Sequence, residues 1–147
     1  MTRPRLLITR PLPEPVLDAA RAICDVIVSP DNEGLDLDDS GLALLGYDAI
    51  LATLGDTFTA AAFASVPEPR CKLLANFGVG YNHIDVDAAR KKGIIVTNTP
   101  GAVTDATADI AVMLMLMTAR RAGEGERMVR AGQWAGWNPT QLLGTHV

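Results

Sequence analysis

The chain has 147 residues, of which 48% are hydrophobic and 20% charged, and its formal net charge is −4. This composition supplies enough apolar side chains for one domain with a core, and it excludes a disordered chain. The acidic balance argues against nucleic acid as a partner, because phosphate binding needs a basic face. The two cysteines, Cys24 and Cys71, have no CxxC spacing, so neither a zinc site nor a redox motif is expected.

Membrane and export signals are also missing from the sequence. The first ten residues carry charge within a short apolar run, unlike a signal peptide. The longest strictly apolar run, Ile110 to Met117, is far shorter than a membrane span. We therefore expect a cytoplasmic protein with no membrane partner.

Short apolar runs alternate with helical patterns along the first hundred residues. Helices of about ten residues between continuous apolar strands indicate a parallel sheet with both faces covered. The predicted fold class is α/β, a flavodoxin-like, doubly wound, five-stranded parallel sheet with helices on both faces. Strands are predicted at 6–9, 25–29, 48–52, 73–76 and 93–97, and helices at 16–23, 38–45 (ending at Gly46), 56–65 and 85–92.

The pattern changes after Pro100. One long apolar helix is predicted at 103–121 and a polar helix at 124–130, followed by a loop that contains Trp134 and Trp137. A helix that is apolar on most sides is normally buried, so we expect another domain or subunit to pack on it. The predicted division is a flavodoxin-like domain at 1–101, followed by a helical segment with an arm at 102–147.

The most informative segment is Asn76–Asp87, a glycine-containing turn between a predicted strand and a predicted helix. Gly78 and Gly80 lack a Cβ, so the backbone can bend tightly and present the N–H groups of Val79 and Gly80 to an anion. An ordinary strand-to-helix turn is the alternative interpretation.

Other side chains near this segment have simpler interpretations than catalysis. His83 has no carboxylate partner at a suggestive spacing, so we expect a solvated or capping histidine. Asp85 and Asp87 complement the start of a helix better than they form a metal site, and no metal is expected. The methionines of the apolar helix fit core packing. Thr104 is expected to cap that helix, which is compatible with a further role.

Two segments of the chain resemble one known family. The first is the run Asn-Phe-Gly-Val-Gly-Tyr-Asn-His-Ile-Asp that begins at Asn76, and the second combines Asn98-Thr99-Pro100 with Thr107-Ala108-Asp109. Together they are similar to the D-isomer-specific 2-hydroxyacid dehydrogenases, nearest to the glyoxylate and hydroxypyruvate reductases. The resemblance is close over 73–121 and looser over the rest. Asp109 stands where the family usually has Glu.

The resemblance implies a small 2-oxo acid as substrate and NAD or NADP as cofactor. The backbone amides of Val79 and Gly80 would bind the substrate carboxylate, and Val79 and Thr104 would approach the nicotinamide. The full set implied to bind substrate is Asn76, Phe77, Gly78, Val79 and Gly80. The resemblance also implies that residues 1–101 are the substrate (catalytic) domain and residues 102–147 an interdomain helix and dimerisation arm. It implies a homodimer formed through the helix and tryptophan arm at 104–139.

The family's catalytic Arg, His and Glu, and its Rossmann cofactor domain, correspond to no part of these 147 residues. No G-x-G-x-x-G turn occurs in the sequence. We therefore expect no catalytic residue in this chain, and no activity from the chain alone. The alternative is a stand-alone flavodoxin-like module that binds a ligand or a protein. The gene sequence downstream of codon 147 would separate the two interpretations.

Overall fold

A computed structural model describes residues 3–30, 32–134, 136 and 142–146. The chain divides into two compact units, Met1–Pro100 and Gly101–Val147. The first unit contains the sheet and four helices, and the second contains two helices.

The first unit is built on a sheet of five parallel strands, as predicted. The strand order is β2-β1-β3-β4-β5, which is the flavodoxin-like order. The strands are β1 Arg5–Ile8, β2 Asp25–Val28, β3 Ala49–Ala52, β4 Leu73–Asn76 and β5 Ile95–Thr97. The α/β fold class predicted from the sequence is confirmed.

Four helices connect these strands: α1 Glu14–Ile23, α2 Leu37–Gly46, α3 Ala60–Ser65 and α4 Val86–Lys91. Helix α3 contacts both α2 and α4, so these three helices share one face of the sheet. Crossovers between parallel strands are right-handed. The crossover from β1 to β2 runs across the sheet in the opposite direction from the later crossovers, so α1 covers the opposite face.

The core lies between the sheet and the three-helix face. Leu7, Ile50 and Leu74 are register partners across β1, β3 and β4, and all three are buried. Burying one such side chain contributes roughly 1.5–3 kcal/mol. They pack with Leu44 of α2 and Phe63 of α3 in a single cluster. On the α1 face the register partners Ala49 and Leu73 are only half-buried, and Ile95 is exposed.

Helix α3 begins four residues later than predicted, because the Asp56 carboxylate is hydrogen-bonded to residues that precede the helix. The buried Asp56 carboxylate accepts hydrogen bonds from Thr9 Oγ1 at 2.7 Å, Leu35 N at 3.0 Å and Thr53 N at 2.8 Å. Buried carboxylates need such partners to offset the loss of hydration. This network holds the segment after β3 against β1, and the helix starts only at Ala60.

The predicted end of α2 also needs correction. Gly46 is the last residue of the helix, and the cap residue is Tyr47 in an extended conformation. Gly46 is not among the glycines with positive φ, so it does not end the helix in the left-handed conformation that we expected.

The second unit contains α5, Thr104–Ala119, and α6, Ala122–Arg130. Between them Arg121 adopts a left-handed conformation with φ 55°. No residue of α5 is buried, although its sequence is apolar on most sides. Within the described part of the chain, no helix is long and apolar enough to cross a membrane.

Candidate functional site

The turn that follows β4 lies at the carboxyl end of the sheet, where parallel α/β proteins place ligands. We call residues 76–80 the β4 turn. The backbone N–H of Phe77 donates to Ala52 O at 2.7 Å, which fixes the start of the turn against the end of β3. The five residues expected to bind substrate therefore lie together in one short segment.

Asn76 organises the β4 turn from the inside. Its side chain is buried, and Nδ2 donates to Gly78 O and to Gly80 O, both at 2.9 Å. The Gly78 N–H also donates to Asn76 O at 2.9 Å. One carboxamide thus holds two carbonyl groups of the turn toward the protein.

The N–H groups of Val79 and Gly80 make no hydrogen bond within the described residues. They are adjacent, and the Val79 side chain is 46% exposed, so solvent and small ligands can reach the turn. Successive free N–H groups in a turn form a concave site that favours an anion. Anion binding by these two N–H groups stays a prediction.

The role of the two glycines differs from the expected one. Neither Gly78 nor Gly80 has a positive φ, so the turn does not require glycine for its backbone conformation. A Cβ at Gly80 would meet nothing within 4 Å, and one at Gly78 would make only an ordinary contact at 3.5 Å. Their absent side chains instead leave open space beside the free N–H groups.

The segment after β5 reaches the same turn, a contact that the sequence did not reveal. Asn98 Nδ2 donates to Val79 O at 2.9 Å, and the Thr99 N–H donates to Gly78 O at 3.1 Å. A cavity of about 260 Å³ lies nearby, between Tyr81 and the end of β5. The only sequence signal for this contact is the Asn98-Thr99-Pro100 pattern itself.

His83 is held by its backbone and is less solvated than expected. Its carbonyl accepts from Phe58 N at 3.1 Å, while its Nε2 atom is buried without a hydrogen-bond partner in the described part of the chain. Burial lowers the pKa of His83, and the Asp56 carboxylate acts in the opposite direction. The neutral form of the ring is thus favoured, and no carboxylate among the described residues is hydrogen-bonded to it to orient it as a base.

Asp85 is the N-cap of α4, and its side chain accepts from Ala88 N at 2.8 Å. Asp87 follows in the first turn of the helix, as the capping interpretation predicted. No group of three or more His, Cys, Asp or Glu side chains among the described residues could hold a metal ion.

The remaining expected residues lie in the second unit. Thr104 is the first residue of α5, and the N-cap is Val103, so the prediction that Thr104 caps this helix is wrong. Trp134 is exposed. Trp137 lies outside the described residues. The methionines of α5 are exposed, so the expected core packing is not present in this chain.

The strand order and the helices place the first unit in the class of doubly wound, flavodoxin-like α/β domains. Comparison with known proteins gives the family. Residues 6–138 match the D-isomer specific 2-hydroxyacid dehydrogenase, catalytic domain. The chain belongs to this family.

Individual relatives agree with this assignment. Glycerate dehydrogenase of Hyphomicrobium methylovorum is 41% identical over 144 residues, covering 98% of this chain and 44% of the relative. A D-isomer specific 2-hydroxyacid dehydrogenase family structure from Polaromonas sp. JS6 66 has a TM-score of 0.86 at 35% identity, covering 97% of this chain and 44% of that one.

A third relative was solved with ligands. It is the NADPH-dependent glyoxylate/hydroxypyruvate reductase of Sinorhizobium meliloti, in complex with NADP and malonate. It is 27% identical with a TM-score of 0.72, and the match covers 97% of this chain and 43% of that protein. The chain thus spans less than half the length of the relatives that it matches.

Proposed function

We propose that these residues form the substrate-binding part of an NAD(P)-dependent oxidoreductase. The proposed reaction reduces small 2-oxo acids, such as glyoxylate or hydroxypyruvate, to D-2-hydroxy acids. The observation that carries this proposal is the pair of free, adjacent N–H groups at Val79 and Gly80. Membership in the family and the names of its relatives support the reaction class.

The chemistry of a 2-oxo acid suits this turn. Its carboxylate can accept hydrogen bonds from both N–H groups, and bonds to a charged acceptor are stronger than neutral ones. The carbonyl oxygens of Gly78, Val79 and Gly80 are each bonded to a protein donor. They are therefore held away from a bound anion, which they would otherwise repel. The exposed side chains of Phe77 and Val79 supply an apolar wall for the rest of a small substrate.

The nicotinamide cofactor would supply the hydride when bound. Val79 and Thr104 are the residues of this chain that we propose approach it, and both are exposed and free to make such a contact. The 147 residues contain no G-x-G-x-x-G turn to seat a pyrophosphate. The cofactor is therefore proposed as NAD or NADP, bound mainly by residues outside these 147.

The binding proposal is tested by NMR on the ¹⁵N-labelled chain. Titration with glycolate, the product of glyoxylate reduction, is expected to shift the amide signals of Val79 and Gly80 more than others. Ethylene glycol is the matched control, because it has the same carbon skeleton without the carboxylate. The proposal would be contradicted if glycolate shifted only amide signals outside the β4 turn, or if ethylene glycol shifted the Val79 and Gly80 signals equally.

Binding of the carboxylate alone leaves the chemical step unassisted. We therefore expect the isolated 147 residues to show no turnover of glyoxylate with NADH or NADPH, measured by absorbance at the nicotinamide band. Turnover at a rate typical of an enzyme would show that this chain contains catalytic groups that we have not identified.

We also propose that the family member assembles as a homodimer through the helix and tryptophan arm at 104–139. The support is the apolar surface of α5, whose side chains from Ile110 and Val112 to Met117 are 40–59% exposed. Surfaces of this kind are normally covered in an assembled protein.

A further inference from the structure

The orientation of each peptide group in the β4 turn decides which way its N–H points. A trans peptide is planar, and its C=O and N–H point in opposite directions. A hydrogen bond accepted by the carbonyl of one residue therefore also fixes the N–H of the next. The donors to the carbonyls of this turn consequently control its two free N–H groups.

The two free N–H groups belong to peptides that are held by different hydrogen bonds. The Val79 N–H belongs to the peptide whose carbonyl is Gly78 O, and this oxygen accepts from both Asn76 Nδ2 and Thr99 N. The Gly80 N–H belongs to the peptide whose carbonyl is Val79 O. Within the part of the chain that the structure describes, that oxygen accepts one hydrogen bond, from Asn98 Nδ2 at 2.9 Å.

Little else restrains the Val79–Gly80 peptide. Gly80 has no side chain, and a Cβ there would touch nothing within 4 Å, so packing does not prevent rotation on that side. The Val79 side chain is exposed, so its packing restrains the peptide little. Asn76 Nδ2 holds the carbonyls on either side, Gly78 O and Gly80 O, whereas the hydrogen bond from Asn98 acts directly on the peptide that carries the Gly80 N–H.

We infer that Asn98 is a positioning residue for the carboxylate site. It acts through the Val79 carbonyl to keep the Gly80 N–H directed toward the bound anion. The inference rests on the proposed function. It makes a specific chemical prediction for position 98. The side chain there must donate a hydrogen bond to Val79 O, and a negatively charged side chain would instead repel that carbonyl oxygen.

Three variants test this role. Asn98→Ala removes the donor, and Asn98→Asp replaces it with a charged acceptor of the same size. Asn82→Ala is the matched control, because Asn82 is an exposed asparagine of the adjacent segment whose side chain makes no hydrogen bond to any described residue. Circular dichroism melting would first identify variants that fold like the wild type.

The first readout is ligand-free ¹⁵N relaxation. In Asn98→Ala the order parameter of the Gly80 amide is expected to fall from a rigid value of roughly 0.85 to below about 0.6. The Val79 amide should change less, because Asn76 and Thr99 still hold its peptide. A purely structural role would loosen both amides together. An unchanged Gly80 amide in Asn98→Ala would overturn the inference.

The second readout is the dissociation constant for glycolate. Asn98→Ala is expected to weaken binding about tenfold, as for one lost oriented hydrogen bond, and Asn98→Asp more strongly. Asn82→Ala should bind like the wild type. Equal affinity in all four proteins would overturn the inference. A wild-type chain that binds no glycolate would overturn the proposed function, and the relaxation result would still decide whether Asn98 orients the peptide.

Discussion

Asp48 joins the amino ends of three strands through its two carboxylate oxygens. Arg70, which precedes β4, donates from Nε and Nη2 at 2.8 Å each, and the Arg5 N–H of β1 donates at 2.7 Å. The Arg70 side chain, followed by the Arg5 backbone N–H, lowers the pKa of Asp48 from 3.8 to about 2. The charged form of Asp48 is thus favoured by the folded state.

This pKa shift predicts a pH-dependent contribution to stability. Because the folded-state pKa is lowered, the contribution is fully present above pH 3.8 and is lost as the pH falls toward 2. Asp48→Asn is expected to lower the thermal midpoint at neutral pH, and its difference from the wild type should shrink across that window. The decrease in the thermal midpoint should be modest, because the Asp48–Arg70 ion pair is partly exposed to solvent.

Melting curves by circular dichroism between pH 7 and 2 would measure it. Asp87→Asn is the control, because this carboxylate lies 3.6 Å from Arg90 on a mostly exposed helix surface. A difference between Asp48→Asn and the wild type that stays constant down to pH 2 would contradict the assignment.

Two loops approach each other at the carboxyl end of the sheet without room for side chains. A Cβ placed on Gly34 would lie 2.1 Å from Gly55 O and 2.8 Å from Asp56 N. Gly55 itself has a φ of 102°, a conformation that favours glycine. The contact brings the loop before α2 against the segment that carries Asp56, whose carboxylate holds Leu35 N.

Gly34→Ala is therefore expected to destabilise the fold by about 2 kcal/mol or more, because backbone atoms must move to admit the methyl group. Gly46→Ala is the matched substitution. A Cβ at this last residue of α2 meets nothing within 4 Å, so it should be neutral or stabilise by up to about 1 kcal/mol. Urea denaturation of both variants would measure the difference, and equal stabilities would contradict this account of the loop contact.

The elements were predictable where local sequence determines them. The strands form continuous apolar runs, and β4 matches its predicted range residue for residue. The start of α3 was not predictable, because Asp56 resembles a helix cap until its distant donors are known. The bond from Asn98 to Val79 joins residues 19 positions apart, and no local pattern encodes it. The turn could thus be located from the sequence, but not the groups that orient it.

At the scale of the whole molecule, the apolar surface of α5 predicts self-association of this chain. Met115 is 59% exposed in the carboxyl-terminal half of that helix. The isolated chain of 15.6 kDa is expected to elute at about twice this mass at high concentration, by chromatography with light scattering. Met115→Lys should shift it toward the monomer, because a charge would be desolvated in the interface.

Ile23→Lys is the control for this prediction. Ile23 is 70% exposed at the end of α1, outside the proposed interface, so its replacement should leave the mass unchanged. A wild-type chain that is monomeric at the highest concentration would contradict the assembly. An equal loss of dimer in both variants would place the interface elsewhere.

The bonds from residues 98 and 99 also set the order in which a newly synthesised chain can form its site. All five strands and the β4 turn are synthesised before Asn98. The Val79 carbonyl gains its donor only when Asn98 is added, and the Gly78 carbonyl, already bonded to Asn76 Nδ2, gains its second donor with Thr99. A chain interrupted just before residue 98 would have all five strands of its sheet and would lack two of the donors that orient the proposed anion site.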